Sequence, residues 1–225
     1  MKSERICVVP ARGGSKGLPG KNLKFIDGET LVRAALRKAV ESTEFDRVVI
    51  SSDNDAILAE GQFGDVICHR RSTATASDTA TSEAVLQEVL DSLGVTSGLL
   101  AMIQCTTPLL NRVDISAAVA LADRPENCTV MSGYAGGLHH WVLCTDGTLS
   151  PIGESGSLRQ PRQGARNRIF VENGGIYVTN IAAFRKSGNR FNGRVIPYVM
   201  DEARSIDIDT EADLARARAR ENVGD

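Results

Sequence analysis

Short apolar runs alternate with helix-period segments from one end of the chain to the other, and few residues separate them. That rhythm is what strands wired through helices look like in a sequence. Ile6-Cys-Val-Val9 reads as a buried strand that runs into a Gly-rich turn. Thr30 to Ser42 places Leu31, Ala34, Ala35 and Ala39 at helical spacing. Val48-Val49-Ile50 predicts a second strand, ending in Ser51-Ser52-Asp53, and Asp65 to His69 a third. Thr79 to Leu93 carries Val85, Leu86, Val89, Leu90 and Leu93 on an amphipathic face, with Gly94 as its stop. Leu99 to Gln104 is expected to be a strand, and Val113 to Ala122 a helix opened by Asn111. Gly133 to Gly164 breaks the rhythm with loops and hairpins and predicts a lid or a subunit contact. Order resumes at Gly175–Thr179 and Val195–Val199, before an Ala/Arg-rich helix from Thr210 to Arg220.

Such alternation predicts an α/β fold: a doubly wound, mainly parallel sheet, Rossmann-like, with helices on both faces. The 225 residues contain no repeat and no long linker, so a single domain over 1–225 is expected, with 133–170 as an extension. Ligands of such sheets bind at the carboxyl ends of the strands, which places the chemistry just after Val9, Ile50 and Ile103.

Charge excludes some partners. With 26 basic and 28 acidic residues the net charge is −2, and aromatics make up only 4%. Neither a basic excess nor stacking platforms are present for nucleic acid, so any phosphate affinity must be local. No run is apolar enough to cross a bilayer, and no signal-peptide pattern opens the chain. The cysteines (Cys7, Cys68, Cys105, Cys128, Cys144) are odd in number and contain no C-x-x-C pair. They read as reduced, structural thiols of a cytoplasmic protein.

Local phosphate affinity has an obvious seat. Pro10-Ala-Arg-Gly-Gly-Ser-Lys-Gly-Leu-Pro-Gly-Lys-Asn22 follows the first strand, and residues 5 to 26 contain no acid. Gly13, Gly14, Gly17 and Gly20 let backbone N–H groups converge on an anion, while Arg12, Lys16, Lys21 and Lys24 add charge. A nucleoside triphosphate suits such a loop; a tight turn with solvated lysines is the plainer reading. It is no Walker A motif, because Ser15 stands where that motif needs Gly and Asn22 where it needs Ser or Thr. Nor is it G-x-G-x-x-G, so a dinucleotide cofactor is unsupported.

The stretch Val8 to Asn22 resembles the signature loop of the CMP-sialic acid synthetase (acylneuraminate cytidylyltransferase) family. Ser51-Ser-Asp-Asn54, Arg71, Ala76-Ser-Asp-Thr-Ala-Thr-Ser82, Gln104-Cys-Thr-Thr-Pro-Leu109, Asn173-Gly-Gly-Ile-Tyr177 and Ile206-Asp-Ile-Asp-Thr-Glu211 follow in that family's order and spacing. The resemblance implies a sheet of the nucleotide-diphospho-sugar transferase kind and a homodimer whose 133–170 region reaches the partner's site. It implies CTP and an acidic sugar as substrates. Ala11, Arg12, Gly13, Gly14, Ser15, Lys16 and Lys21 are then the phosphate loop. Asn22, Arg71 and Ser82 hold the cytidine, Ala80 lies beside the base and Asn173 at the ribose. Read without the family, Arg71 and Ser82 are ordinary surface residues.

On the sugar side the resemblance assigns Gln104 to the acid and Tyr177 and Phe191 to a hydrophobic wall, the last two being equally readable as core aromatics. Arg162 matches an arginine that meets the sugar from the partner subunit, with Arg166 or Arg168 as substitutes. Two departures fall on this side. The sialic-acid members carry a lysine after a His-Pro pair, where this chain has His139-His-Trp-Val-Leu-Cys144, and two adjacent aromatics where it has Arg190-Phe191. His139 and His140 would point to opposite faces of a strand and are not expected to share a ligand, and His69 reads as packing.

Asp207 and Asp209 alternate with Ile206 and Ile208, so on a strand their carboxylates share a face. Oxygen ligands beside phosphates suit Mg²⁺, or Mn²⁺ in its place, and the family has its metal ligands here. A helix cap built from Thr210 and Asp213 competes for part of the segment. The expected reaction is nucleotidyl transfer, with Arg12, Lys21 and Asp209 as its catalytic residues and no evident general base. Rival readings are a cytidylyltransferase for KDO or a phosphonate, a CTP-binding protein without turnover, and an anion-binding scaffold indifferent to the base.

Overall fold

Ile6 to Val9 are buried on both faces of the first strand, β1 (Arg5–Pro10), which therefore lies inside a sheet covered above and below. A computed structural model describes residues 4–15, 17–77, 79–124, 127–136, 141–145, 148–151 and 169–221. After β1 the chain makes a short 3-10 turn (Lys21–Leu23) and a small hairpin, β2 (Phe25–Ile26) and β3 (Glu29–Thr30). Thr30 then caps α1 (Leu31–Glu41) by accepting a hydrogen bond from the amide of Arg33. β4 (Arg47–Ser52), α2 (Asp55–Ala59), β5 (Ile67–Arg70) and α3 (Thr73–Ala76) follow. The predicted helix from Thr79 begins later, as α4 (Ser82–Leu93), because Thr81 takes the cap position; Gly94 ends it in the left-handed conformation.

β6 (Leu99–Ile103) leads to α5 (Arg112–Ala122), opened by a reciprocal box in which Asn111 and Asp114 satisfy each other's amides. Then come β7 (Cys128–Ala135), the β8 (Trp141–Leu143) and β9 (Leu149–Pro151) hairpin, β10 (Phe170–Asn180), α6 (Ile181–Ser187), β11 (Arg194–Val199) and α7 (Glu211–Glu221).

Among the described residues seven strands form the main sheet, in the order β11-β7-β10-β6-β1-β4-β5. Six share one direction; β10 alone runs antiparallel, to both β6 and β7. Successive residues feed opposite faces. Cys7, Val9, Ala101, Ile103, Ile176 and Val178 pack with α1, α5 and α7, while Ile6, Val8, Leu100, Met102 and Tyr177 pack with α4 and α6. The connections from β1 and β6 leave to opposite sides, so the carboxyl ends of those neighbours form a switch point. β10 enters from the far side, and its register, Ile176 opposite Ile103, brings residues 173–175 to that same end.

Candidate active site

Arg12, Ser15, Lys21 and Asn22 from the β1 loop, Arg71, Ala80 and Ser82 beyond β5, and Gln104 beyond β6 line one cleft of about 320 Å³. Pro10, Thr75, Ser77, Thr81, Val85 and Thr106 complete its wall. Reading the sequence gave none of those six a site role, although Pro10, Ser77, Thr81 and Thr106 lie inside the motifs it singled out; Thr75 and Val85 had only their nearness to Ser82 as a signal.

The loop is shaped by its own backbone. The Ala11 amide donates to the Ser51 carbonyl (3.0 Å) and that of Gly13 to Asp53 Oδ1 (2.8 Å). Both amides are thus committed to the β4 end, so they set the loop's path. A Cβ on Gly17 would stand 2.8 Å from the Asp209 carbonyl oxygen, which shows how closely the loop presses on the segment before α7. Gly14 is open to solvent, and Lys16 lies outside the described residues.

Asn22 is buried and doubly tied: its amide donates to the Arg12 carbonyl (2.8 Å) and accepts from Cys105 Sγ (3.1 Å). Burial pushes the Cys105 thiol up to about 12. Asn22 therefore closes the loop on itself and bolts it to the end of β6. Asn173, expected at the ribose, is similarly inward. Its Oδ1 accepts from Ser132 Oγ (2.7 Å) and the Gly175 amide (3.0 Å), and its Nδ2 donates to Ser205 Oγ (3.0 Å). The side chain organises the start of β10 beneath the site.

Residues 205–209 form an irregular connection, not the strand on which Asp207 and Asp209 would share a face. The alternation survives because Ile208 is fully buried and its amide donates to the Thr106 carbonyl (2.8 Å), which leaves Asp207 and Asp209 facing out. Although Asp207 keeps an exposed face, the groups packed round its carboxyl raise it above the usual range by desolvation, with Asp209 adding to the effect. A Thr106 hydrogen bond and Lys21 oppose it. Asp209 Oδ1 pairs with Lys21 Nζ at 2.8 Å. The competing cap does form: Asp213 Oδ2 accepts from the Thr210 amide (2.9 Å) and hydroxyl (2.7 Å), and it involves neither the Asp207 nor the Asp209 carboxylate.

Among the described residues no group of three or more His, Cys, Asp and Glu side chains could cage a metal. Two adjacent carboxylates fit a cation that keeps waters and takes oxygen ligands only. Gln104 reaches the same place, since a Cβ on Gly174 would lie 2.6 Å from Gln104 Oε1 and 3.6 Å from Asp207 Oδ2.

The residues expected on the sugar side, Tyr177 and Phe191, form a compact cluster with Arg190. Tyr177 and Phe191 meet edge to face at 5.9 Å. Arg190 stands over both rings, 4.6 Å from Tyr177 and 5.2 Å from Phe191, and pairs with Glu83 at 2.7 Å. Tyr177 also hydrogen bonds to Glu172, and burial followed by that contact drives its hydroxyl well above the ordinary value. Arg162, with its substitutes Arg166 and Arg168, and the His139-His140 pair lie outside the described residues.

Comparison with known proteins supplies the context. A family model described as "Cytidylyltransferase" matches residues 6–140. The N-acylneuraminate cytidylyltransferase of Oncorhynchus mykiss is 29% identical over 216 residues, covering 95% of this chain and 49% of that protein. That of Streptococcus agalactiae serotype V is 28% identical over 215 residues, covering 93% and 51%. The chain thus spans about half the length of the curated relatives it matches. Among solved structures, CMP:2-keto-3-deoxy-manno-octonic acid synthetase complexed with CTP superposes with a TM-score of 0.70 at 19% identity, covering 98% of this chain and 99% of that one. The 4-diphosphocytidyl-2C-methyl-D-erythritol synthase of Anaerococcus prevotii gives 0.70 at 13%, covering 98% and 96%. At those identities the likeness is one of fold.

Proposed function

The chain belongs to the cytidylyltransferase family, and from that premise we propose that it moves a cytidylyl group from CTP to an acidic sugar, an N-acylneuraminate or a related nonulosonic acid. The observation that carries this reading is a convergence at one sheet edge. Arg12, Lys21 and Arg71 bring cations for a triphosphate, Asp207 and Asp209 bring oxygen ligands, and Gln104 brings an amide for the acid. A hydroxyl of the sugar acid attacks the α-phosphorus and gives up its proton to solvent; the new P–O bond forms as the bond from the α-phosphorus to the bridging oxygen breaks, and pyrophosphate leaves with that oxygen. Little covalent help is needed, so alignment and charge neutralisation dominate. Arg12 and Lys21 neutralise the charge that grows on the α-phosphate and the leaving group, with Ser15 and Lys16 along the remaining phosphates. Arg71, Ser82 and Ala80 hold the cytidine. Asp207 and Asp209 would hold Mg²⁺, or Mn²⁺, which when bound supplies Lewis-acid neutralisation of phosphate oxygens.

Arg190 is this chain's own feature of the acceptor wall. A guanidinium over Tyr177 and Phe191 favours an acid that presents a polar group there over one with only a methyl-capped acyl chain. This favours a relative of N-acetylneuraminate as acceptor. A homodimer in the cytoplasm completes the reading; the exposed Val142 and Leu149 of the β8–β9 hairpin and Val195 and Val199 of β11 are apolar surface such a partner would cover.

Pyrophosphate release from CTP, followed over N-acetylneuraminate, legionaminic and pseudaminic acids, KDO and a phosphonate, tests the proposal. Release with a nonulosonic acid, lost on chelation, is the expected result. Release with KDO or the phosphonate alone would move the chain to the rival cytidylyltransferases. Tight CTP binding with silence across the panel would favour a binder without turnover.

A further inference from the structure

Arg71 reaches the cleft from a pose that other side chains hold. Its backbone amide donates to the Ser52 carbonyl (3.0 Å), its Nη2 to the Ser51 carbonyl (3.1 Å) and its Nε to Ser51 Oγ (3.3 Å). Ser51 is fully buried, and the same Oγ lies 3.2 Å from His69 Nδ1. Arginine can only donate, so the Ser51 hydroxyl accepts from Arg71 and has its own proton to place. A buried O–H needs an acceptor, and His69 Nδ1 is the one it meets. That direction requires a neutral ring with its proton on Nε2, facing Glu88 Oε1 at 3.9 Å, too long for a direct hydrogen bond but within reach of its charge. Burial lowers the affinity of the imidazole for a second proton, and Arg71 adds to this against Glu88.

Glu88 is itself fixed. It accepts from the Ser72 amide (2.8 Å), from Ser72 Oγ (3.3 Å) and from Thr75 Oγ1, so one carboxylate on α4 braces the turn that lines the cleft beyond Arg71 and faces the ring Nε2 without touching it. The histidine read from sequence as packing is a member of a polar chain.

We infer that His69, acting through the Ser51 hydroxyl, is a positioning residue that holds Arg71 in its nucleotide-facing pose. It rests on the reading of Arg71 as a nucleotide residue, and the two can fail separately. The chain of groups sets one guanidinium orientation by a single proton placement, so removing the Nδ1 acceptor leaves a buried hydroxyl free to turn against Arg71.

Calorimetric titration of CTP with Mg²⁺ into the whole chain reads this without an identified acceptor. Arg71→Ala should weaken CTP at least about 30-fold, the loss of a charge-assisted contact. His69→Ala should weaken it about tenfold, as an orphaned buried hydroxyl disturbs the pose. His69→Asn, whose Oδ1 can stand in for Nδ1, should return the affinity to within about twofold, a rescue that loss of packing would not show. Normal binding by His69→Ala beside weak binding by Arg71→Ala would overturn the positioning role alone. Normal binding by Arg71→Ala would overturn the nucleotide reading and this inference with it. Should His69→Ala not fold, the ¹⁵N signals of His69 in the unmodified protein at pH 8 decide: a proton on Nε2 is expected, and one on Nδ1 would overturn the scheme.

Discussion

Arg12, placed by the β1 loop at the cleft, is the cation to which the proposed transfer assigns the α-phosphate. If it neutralises charge that develops at the α-phosphate, Arg12→Ala should lower turnover by about 2–4 kcal/mol of transition-state stabilisation, while a fall below about fivefold would remove it from that role. Cys105 makes a different kind of prediction. Folding raises its thiol from 9.0 to about 12 through burial. The unfolded chain then gives up its proton first, so the stability linked to this group is intact below pH 9 and drains away as pH climbs towards 12. Urea unfolding at pH 8.5 and 10.5 should show a smaller alkaline loss in Cys105→Ala than in the parent. Thiol reagents at pH 8 should modify Cys68, which is exposed, and Cys144, and spare the buried Cys7, Cys105 and Cys128 until the chain unfolds. At this scale the sequence named residue types well but not the direction of side chains. Asn22 lines the cleft and Asn173 lies outside its wall, and both side chains turn inward, because a buried amide must find partners wherever the fold supplies them.

Elements with strong local signals were legible. The Gly94 stop of α4 and the Asn111 start of α5 fell where capping chemistry placed them. α2 and α6 went unseen because five and seven residues carry too little periodicity to register. β7 was unseen because Thr129, Ser132 and Gly133 interrupt its apolar run; the two hydroxyls find partners far off in sequence, on β10 and in the connection before β11. In β10 the expected strand was its last half, since Gly174 at φ +71° sits where the pairing register shifts. Gly174→Ala should cost about 1–2 kcal/mol of stability from the left-handed backbone. Because the new Cβ would displace Gln104, the KM for the acid should rise more than that for CTP, which steady-state kinetics with each substrate varied would show.

For the molecule as a whole, Lys21 and Asp209 are paired with each other across the gap between the β1 loop and the segment before α7. A triphosphate wants the lysine and a divalent ion wants the carboxylate, so each ligand frees the other's partner. Lys21→Met should therefore tighten Mn²⁺ binding in the absence of nucleotide while weakening CTP, read by paramagnetic resonance and calorimetry. Chelation should abolish turnover, and Asp207→Asn should lower it by at least about 100-fold, with more Mg²⁺ needed for half of the remaining rate. Order along the chain was enough to determine the strand–helix alternation, the parallel core around β1, and the cationic, acid-free loop, because periodicity, glycine and charge act within a few residues of themselves. What only the tertiary structure decided is long-range. The reversal of β10 brings Asn173 and Gly174 to the carboxyl ends of its neighbours, and Ile208, anchored to Thr106, turns Asp207 and Asp209 outward without a strand. Ser51 and His69 come from two different elements to hold one arginine. Each of these depends on contacts between residues far apart in sequence, whose partners are chosen by burial and hydrogen-bond satisfaction once the sheet has closed.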